Sequence, residues 1–182
     1  MRVWINPDGT LTIHEKVHDD RYENLAYFED GGDSGDTYDY SHPAQDHLLT
    51  SLNKKAIITL EQAGPLLVRF RIELQLKLPR GLTADRQMRS SKTSPLTIIS
   101  FVELAANAGH VEIKTAVHNC VKDHRLRVIF PSGIQTDHSL SGMPFDVAQF
   151  PILEQTNHDV GGAAPHAALH GLMLAGHYTT PV

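Results

Sequence analysis

One cysteine, one tryptophan and no run approaching 18 apolar residues are what this 182-residue chain has least of. With Cys120 alone, no internal disulfide scaffold can form, and a reducing, cytoplasmic setting is the expectation. The lack of a long apolar run argues against a membrane span, and Asn6, Pro7 and Asp8 interrupt any signal-peptide core near the start. Positive charge is not in excess either. Sixteen Lys and Arg stand against 21 Asp and Glu, which argues against nucleic acid as a partner. The deficit is local, because Glu29, Asp30, Asp33, Asp36 and Asp39 fall in one short segment without a cation among them. At 41% hydrophobic residues, the chain is long enough for one domain, or two small ones, with a core that needs neither metal nor disulfide to hold it.

The patterning is that of strands. Val3 to Ile5 and Leu11 to Ile13 flank Asn6-Pro7-Asp8-Gly9, a hairpin signal in which glycine supplies a positive φ. Leu66, Val68, Phe70, Ile72, Leu74, Leu76 and Leu78 alternate with mostly polar neighbours. The spacing predicts one long antiparallel strand with a buried and a wet face. Ile57 to Leu60 precedes it across Gln62-Ala63-Gly64-Pro65, and Leu96 to Leu104, Val111 to Val117 and Leu126 to Phe130 follow, with Asn107-Ala108-Gly109 as a second hairpin turn. Six or more strands with no convincing helix predict an all-β, antiparallel β-sandwich or a barrel. Residues 18–47, polar and rich in Gly, Asp and Tyr, read as one long ordered loop. After Pro151 the composition turns to Gly, Ala and His, so residues 1–151 read as the sandwich. Residues 152–182 read as an irregular or short-helical tail, whose ending at Thr180-Pro181-Val182 favours truncation.

Three clusters are candidates for function. The acidic segment Glu29, Asp30, Asp33, Asp36 and Asp39 is open to three readings: a solvated loop, a hard-cation site, or a ligand-contacting loop. Its spacing is wrong for an EF-hand. Tyr38 and Tyr40 suit sugar hydroxyls, offering a stacking face and a hydroxyl beside carboxylates. In Asp123-His124-Arg125-Leu126-Arg127, strand alternation puts Arg125 and Arg127 on one face, able to meet the acidic loop or an anion. Arg80, Arg86, Arg89 and Lys92 form a basic stretch that reads as surface. Twelve histidines include no His-Glu-x-x-His pattern, and no nucleophile elbow or Cys-x-x-Cys pair is present, so neither a catalytic nor a metal-ligating residue is assigned.

Three stretches together resemble the C-terminal β domain of glycoside hydrolase family 38 α-mannosidases, nearest to the bacterial mannosylglycerate hydrolase branch. They are Asn6 to Ile13 (Asn-Pro-Asp-Gly-Thr-Leu-Thr-Ile), Glu29 to Ser41 (Glu-Asp-Gly-Gly-Asp-Ser-Gly-Asp-Thr-Tyr-Asp-Tyr-Ser) and Asn119 to Pro131, centred on Asp-His-Arg-Leu-Arg. The second is the most distinctive, and the segment after Pro151 departs from the pattern. The resemblance implies a galactose-mutarotase-like supersandwich that packs on a catalytic α/β domain absent from this chain. That domain would hold the zinc ion and the carboxylate nucleophile of a retaining hydrolase, leaving the β module without turnover or cofactor of its own. Tyr38 matches the family tyrosine near the sugar, with Asp36 beside it, and Arg125 and Arg127 match the family arginines. An α-mannoside or mannosylglycerate-like compound is the implied substrate. A stand-alone carbohydrate-binding or structural sandwich, stabilised by a cation such as calcium, is the rival expectation.

Overall fold

The computed structural model describes residues 1–36, 38–143 and 145–151. The tail expected over 152–182 lies outside the described residues. Strand β1 (Arg2–Ile5) turns into β2 (Leu11–His14) through Gly9, whose φ of 81° requires a residue without a Cβ penalty. Asn6 N–H donates to Thr10 O at 2.8 Å and Asp8 Oδ1 accepts from the Thr10 hydroxyl at 2.8 Å, closing the turn. Strand β3 (Arg21–Leu25) pairs with β2, and Ala26 alone, at φ 63°, makes the corner into β4 (Tyr27–Gly32). Then come β5 (Leu49–Thr50), β6 (Ile57–Ala63), β7 (Leu67–Pro79), β8 (Thr93–Ala105), β9 (Glu112–His118), β10 (His124–Ile129), β11 (His138–Met143) and β12 (Asp146–Pro151). Among the described residues every element is a strand, and every named strand pairing is antiparallel.

Four sheets result, ordered β1-β2-β3, β10-β4-β5, β6-β7-β8-β9 and β11-β12. The third is the backbone of the fold. Its strands β7 and β8 pair without interruption from Leu67↔Ala105 to Pro79↔Thr93. Period-two alternation sends Ile72, Leu74, Leu76, Leu78, Leu96 and Ile98 to one face, where they are buried against Leu11, Leu25 and Phe28 from the sheets opposite. Each such leucine or isoleucine contributes about 1.5–3 kcal/mol by leaving water. The antiparallel sandwich expected from the alternation is present.

Residues 18–47 are not one loop. β3 and β4 occupy much of that stretch, because Glu29 and Asp30 sit in a strand whose charges are met by side chains roughly 60 to 100 residues away. The pair β11–β12 gave no strand signal in the sequence, because the buried positions of β11 carry Ser139 and Ser141 while Leu140 between them is 52% exposed. The basic stretch 80–92 is not simply surface either. Its Arg89 is buried, for a reason that belongs to the site.

Candidate functional site

The site is built on the pairing of β4 with β10, in which His124 faces Gly32, Arg125 faces Gly31, Leu126 faces Asp30 and Arg127 faces Glu29. Residues directly opposite one another share a face, so His124, Asp30 and Leu126 point one way and Arg125, Arg127 and Glu29 the other. Alternation sorts the acidic segment into two environments. Asp30 goes inward, Glu29 outward.

On the inward face, the side chains of Asp30, Arg89 and His124 are 0%, 2% and 7% exposed. Arg89 Nη2 donates to Asp30 Oδ1, and His124 Nδ1 lies 2.5 Å from Asp30 Oδ2. Arg89 Nη1 also donates to the carbonyls of Asp30 (3.3 Å) and His47 (3.4 Å), so one guanidinium ties β4 to the segment that follows the loop. Asp46 Oδ2 accepts from Gly32 N–H at 2.8 Å. The packing is close enough that a Cβ on Gly32 would lie 2.8 Å from Pro43 Cγ. An ion pair this deep survives because both partners are also hydrogen-bonded to their surroundings, and no buried side-chain polar atom among the described residues is orphaned.

Residues 33–36 and 38–41 rise from that clamped base. Asp33 N–H donates to Asp123 O (3.0 Å), Ser34 N–H to Ser41 O (2.6 Å), and Asp36 N–H to Asp39 O (3.2 Å), giving the loop the form of a narrow hairpin. Its carboxylates serve the loop's own backbone. Asp33 Oδ1 accepts from the amides of Gly35 and Ser41, and Asp36 Oδ1 from those of Tyr38 and Asp39, which hold the Asp36 carboxyl below its ordinary pKa. Arg86 reaches across from the β7–β8 connection, donating to Gly35 O and to Asp123 Oδ1, both at 3.3 Å. At the tip, the Tyr38 residue is 88% exposed, beside the exposed Asp36 and Asp39.

On the outward face Arg127 pairs with Glu29, and the Arg125 guanidinium lies over the Tyr40 ring, 4.2 Å from its centroid. Burial raises the Tyr40 phenol above its usual pKa, against the opposing pull of Arg125. Burial, and then the like charge of Arg127, lower Arg125. The structure thus brings Glu29, Asp33, Tyr40, Arg125 and Arg127 together on one side. Asp36, Tyr38 and Asp39 stand at the loop tip, and Asp30 lies beneath the loop base.

Sequence reasoning did not assign Arg89, Arg86, Asp46 or His124. The readable signal was charge balance, since an acidic run with no cation of its own and a basic stretch at 80–92 invite pairing. Among the described residues no three His, Cys, Asp or Glu stand together as metal ligands, and the described donor set does not fit zinc.

The chain matches the family described as "Glycosyl hydrolases family 38 C-terminal domain" over residues 1–172. It belongs to that family. A relative from Halalkalibacterium halodurans, provisionally named a mannosylglycerate hydrolase, is 24% identical over 147 residues, covering 72% of this chain and 16% of that protein. An α-mannosidase of Enterococcus faecalis V583 superposes with a TM-score of 0.79 at 27% identity, covering 85% of this chain and 19% of the other. A family 38 glycosyl hydrolase from Enterococcus faecalis gives 0.78 at 28%, covering 82% and 20%. This family 38 domain spans about a fifth or less of the length of these relatives, and is therefore a part of larger, multidomain hydrolases in them.

Proposed function

We propose that this family 38 domain is the non-catalytic β module of an α-mannosidase-like hydrolase, working with a catalytic α/β part and forming one wall of the substrate cleft. The observation that carries the reading is the braced loop. A tyrosine exposed to solvent at the tip of a segment fastened by Arg89, Asp46, Arg86 and Asp123 is costly to hold in place unless it meets something. Tyr38 offers an apolar face and a hydroxyl, and Asp36 and Asp39 offer acceptors, the combination that sugar rings and hydroxyls use. The zinc ion and the nucleophile belong to the α/β part, which the relatives' four- to five-fold greater length can accommodate. A partner surface also fits the sheet β6-β7-β8-β9, whose edge strand β6 leaves Ile58 and Leu60 exposed on the face that carries Ile72. The substrate class is an α-mannoside, with mannosylglycerate-like compounds suggested by the Halalkalibacterium relative's name.

The test has two arms. The purified chain, given zinc and 4-nitrophenyl α-D-mannoside, shows no turnover, and hydrolysis that Tyr38→Phe abolishes would overturn the non-catalytic assignment. Methyl α-D-mannoside shifts the backbone amide resonances of residues 33–41, and Tyr38→Ala removes most of the shift. A folded chain in which that loop does not respond at tens-of-millimolar sugar contradicts the cleft-wall role.

A further inference from the structure

The two strand arginines on the outward face of β10 are not equivalent. Arg127 stands opposite Glu29 in the ladder and is neutralised by it. Arg125 stands opposite Gly31, which has no side chain, and no carboxylate oxygen of the described residues lies within 4.0 Å of its guanidinium. The nearby acids are already engaged. Asp33 spends an oxygen on the amides of Gly35 and Ser41, Asp46 on Gly32 and His47, and Asp30 on Arg89 and His124. The Tyr40 ring lies under the Arg125 guanidinium and helps fix its position, leaving N–H donors for a further acceptor. A planar fork of donors on a partly buried stem, held over an aromatic ring, is the kind of group that a carboxylate accepts bidentately.

We propose that Arg125 is the carboxylate-recognition residue of this module, taking the acid group of a glycoside whose aglycone is a small hydroxy acid. The assignment rests on the cleft-wall reading above and adds to it the substrate's charge. It separates the roles on the module. Tyr38 and Asp36 at the tip address the neutral sugar, and Arg125 lower on the same outcrop addresses the anion. The negative charge of Asp33 nearby disfavours a diffuse anion and favours one that reaches the guanidinium directly.

The test uses the whole chain and two probes of nearly the same shape, sodium D-glycerate and neutral glycerol, at matched low ionic strength. D-glycerate shifts the Arg125 Nε–H and Tyr40 ring resonances saturably, whereas glycerol does not. Arg125→Gln weakens the glycerate response at least tenfold. Arg125→Lys, which keeps the charge without the fork, retains part of it. Arg80→Gln, at an exposed arginine bonded to Thr93 O and Ser94 Oγ, leaves it within twofold. Equal responses to the two probes, an unaltered titration in Arg125→Gln, or an equal loss in Arg80→Gln would overturn the assignment; the last means adventitious ion binding. A silent glycerate titration likewise overturns it, and leaves a protein carboxylate of the catalytic part as the partner for Arg125. Methyl α-D-mannoside carries no acid, so its effect on residues 33–41 survives Arg125→Gln. A chain that answers mannoside but not glycerate loses only this assignment, and one that answers glycerate but not mannoside loses the cleft-wall reading.

Discussion

At the scale of the single residue, the chain uses carboxylates to shape backbone as much as to carry charge. Asp8 is the clearest case. Burial alone would raise its pKa, yet the Thr10 hydroxyl, the Asn53 N–H and the Thr10 N–H together outweigh it and leave the carboxyl below its ordinary value. A carboxyl with a lower pKa folded than unfolded stabilises the native state above its unfolded pKa. That stabilisation disappears as pH falls through about 4 and on to the folded value. Asp8→Asn therefore loses on the order of 1 kcal/mol at pH 7, and loses less than the wild type between pH 6 and pH 3. Urea unfolding across that range checks it, and parallel pH profiles for the two proteins contradict it. The turn around Asp8 was readable because Asn-Pro-Asp-Gly is a local signal, complete within four residues.

At the scale of the element, what was readable and what was not divides by range. β7 shows itself through 13 residues of alternation, and β8 and β9 follow from the same period. β4 did not show itself, because Glu29, Asp30, Gly31 and Gly32 look like a loop until Arg89, His124 and Arg127 are seen beside them. No local rule connects Asp30 to Arg89. The face shared by Arg125 and Arg127 followed from alternation alone, whereas their unequal pairing required knowing which residues of β4 stand opposite. The clamp predicts its own sensitivity. Arg89→Met strands the buried Asp30 carboxylate beside His124 alone and costs about 3–5 kcal/mol. Arg21→Met, removing an exposed pair with Glu23, costs no more than about 1 kcal/mol. The urea midpoints of the two variants, at unchanged dependence on denaturant, report the difference directly. Equal midpoints would show that the Arg89–Asp30 pair does not anchor β4.

At the scale of the whole molecule, a long two-faced sheet supplies most of the core and the β10-β4-β5 sheet carries the candidate site. The rigid part and the exposed part meet at Gly32, where the core-buried clamp ends and the loop bearing Tyr38 begins. Under the proposed reading, a domain whose described residues form no metal site would act by holding recognition groups steady against a reaction conducted on another part of the enzyme. The central claim is that residues 33–41 face a mannoside, and a crystal structure of the isolated chain soaked in mannosylglycerate tests it most directly. The account predicts a sugar ring against Tyr38 within hydrogen-bond reach of Asp36, with the acid group turned toward Arg125. Sugar bound on another face of the sandwich, with an ordered and empty 33–41 loop, would contradict it.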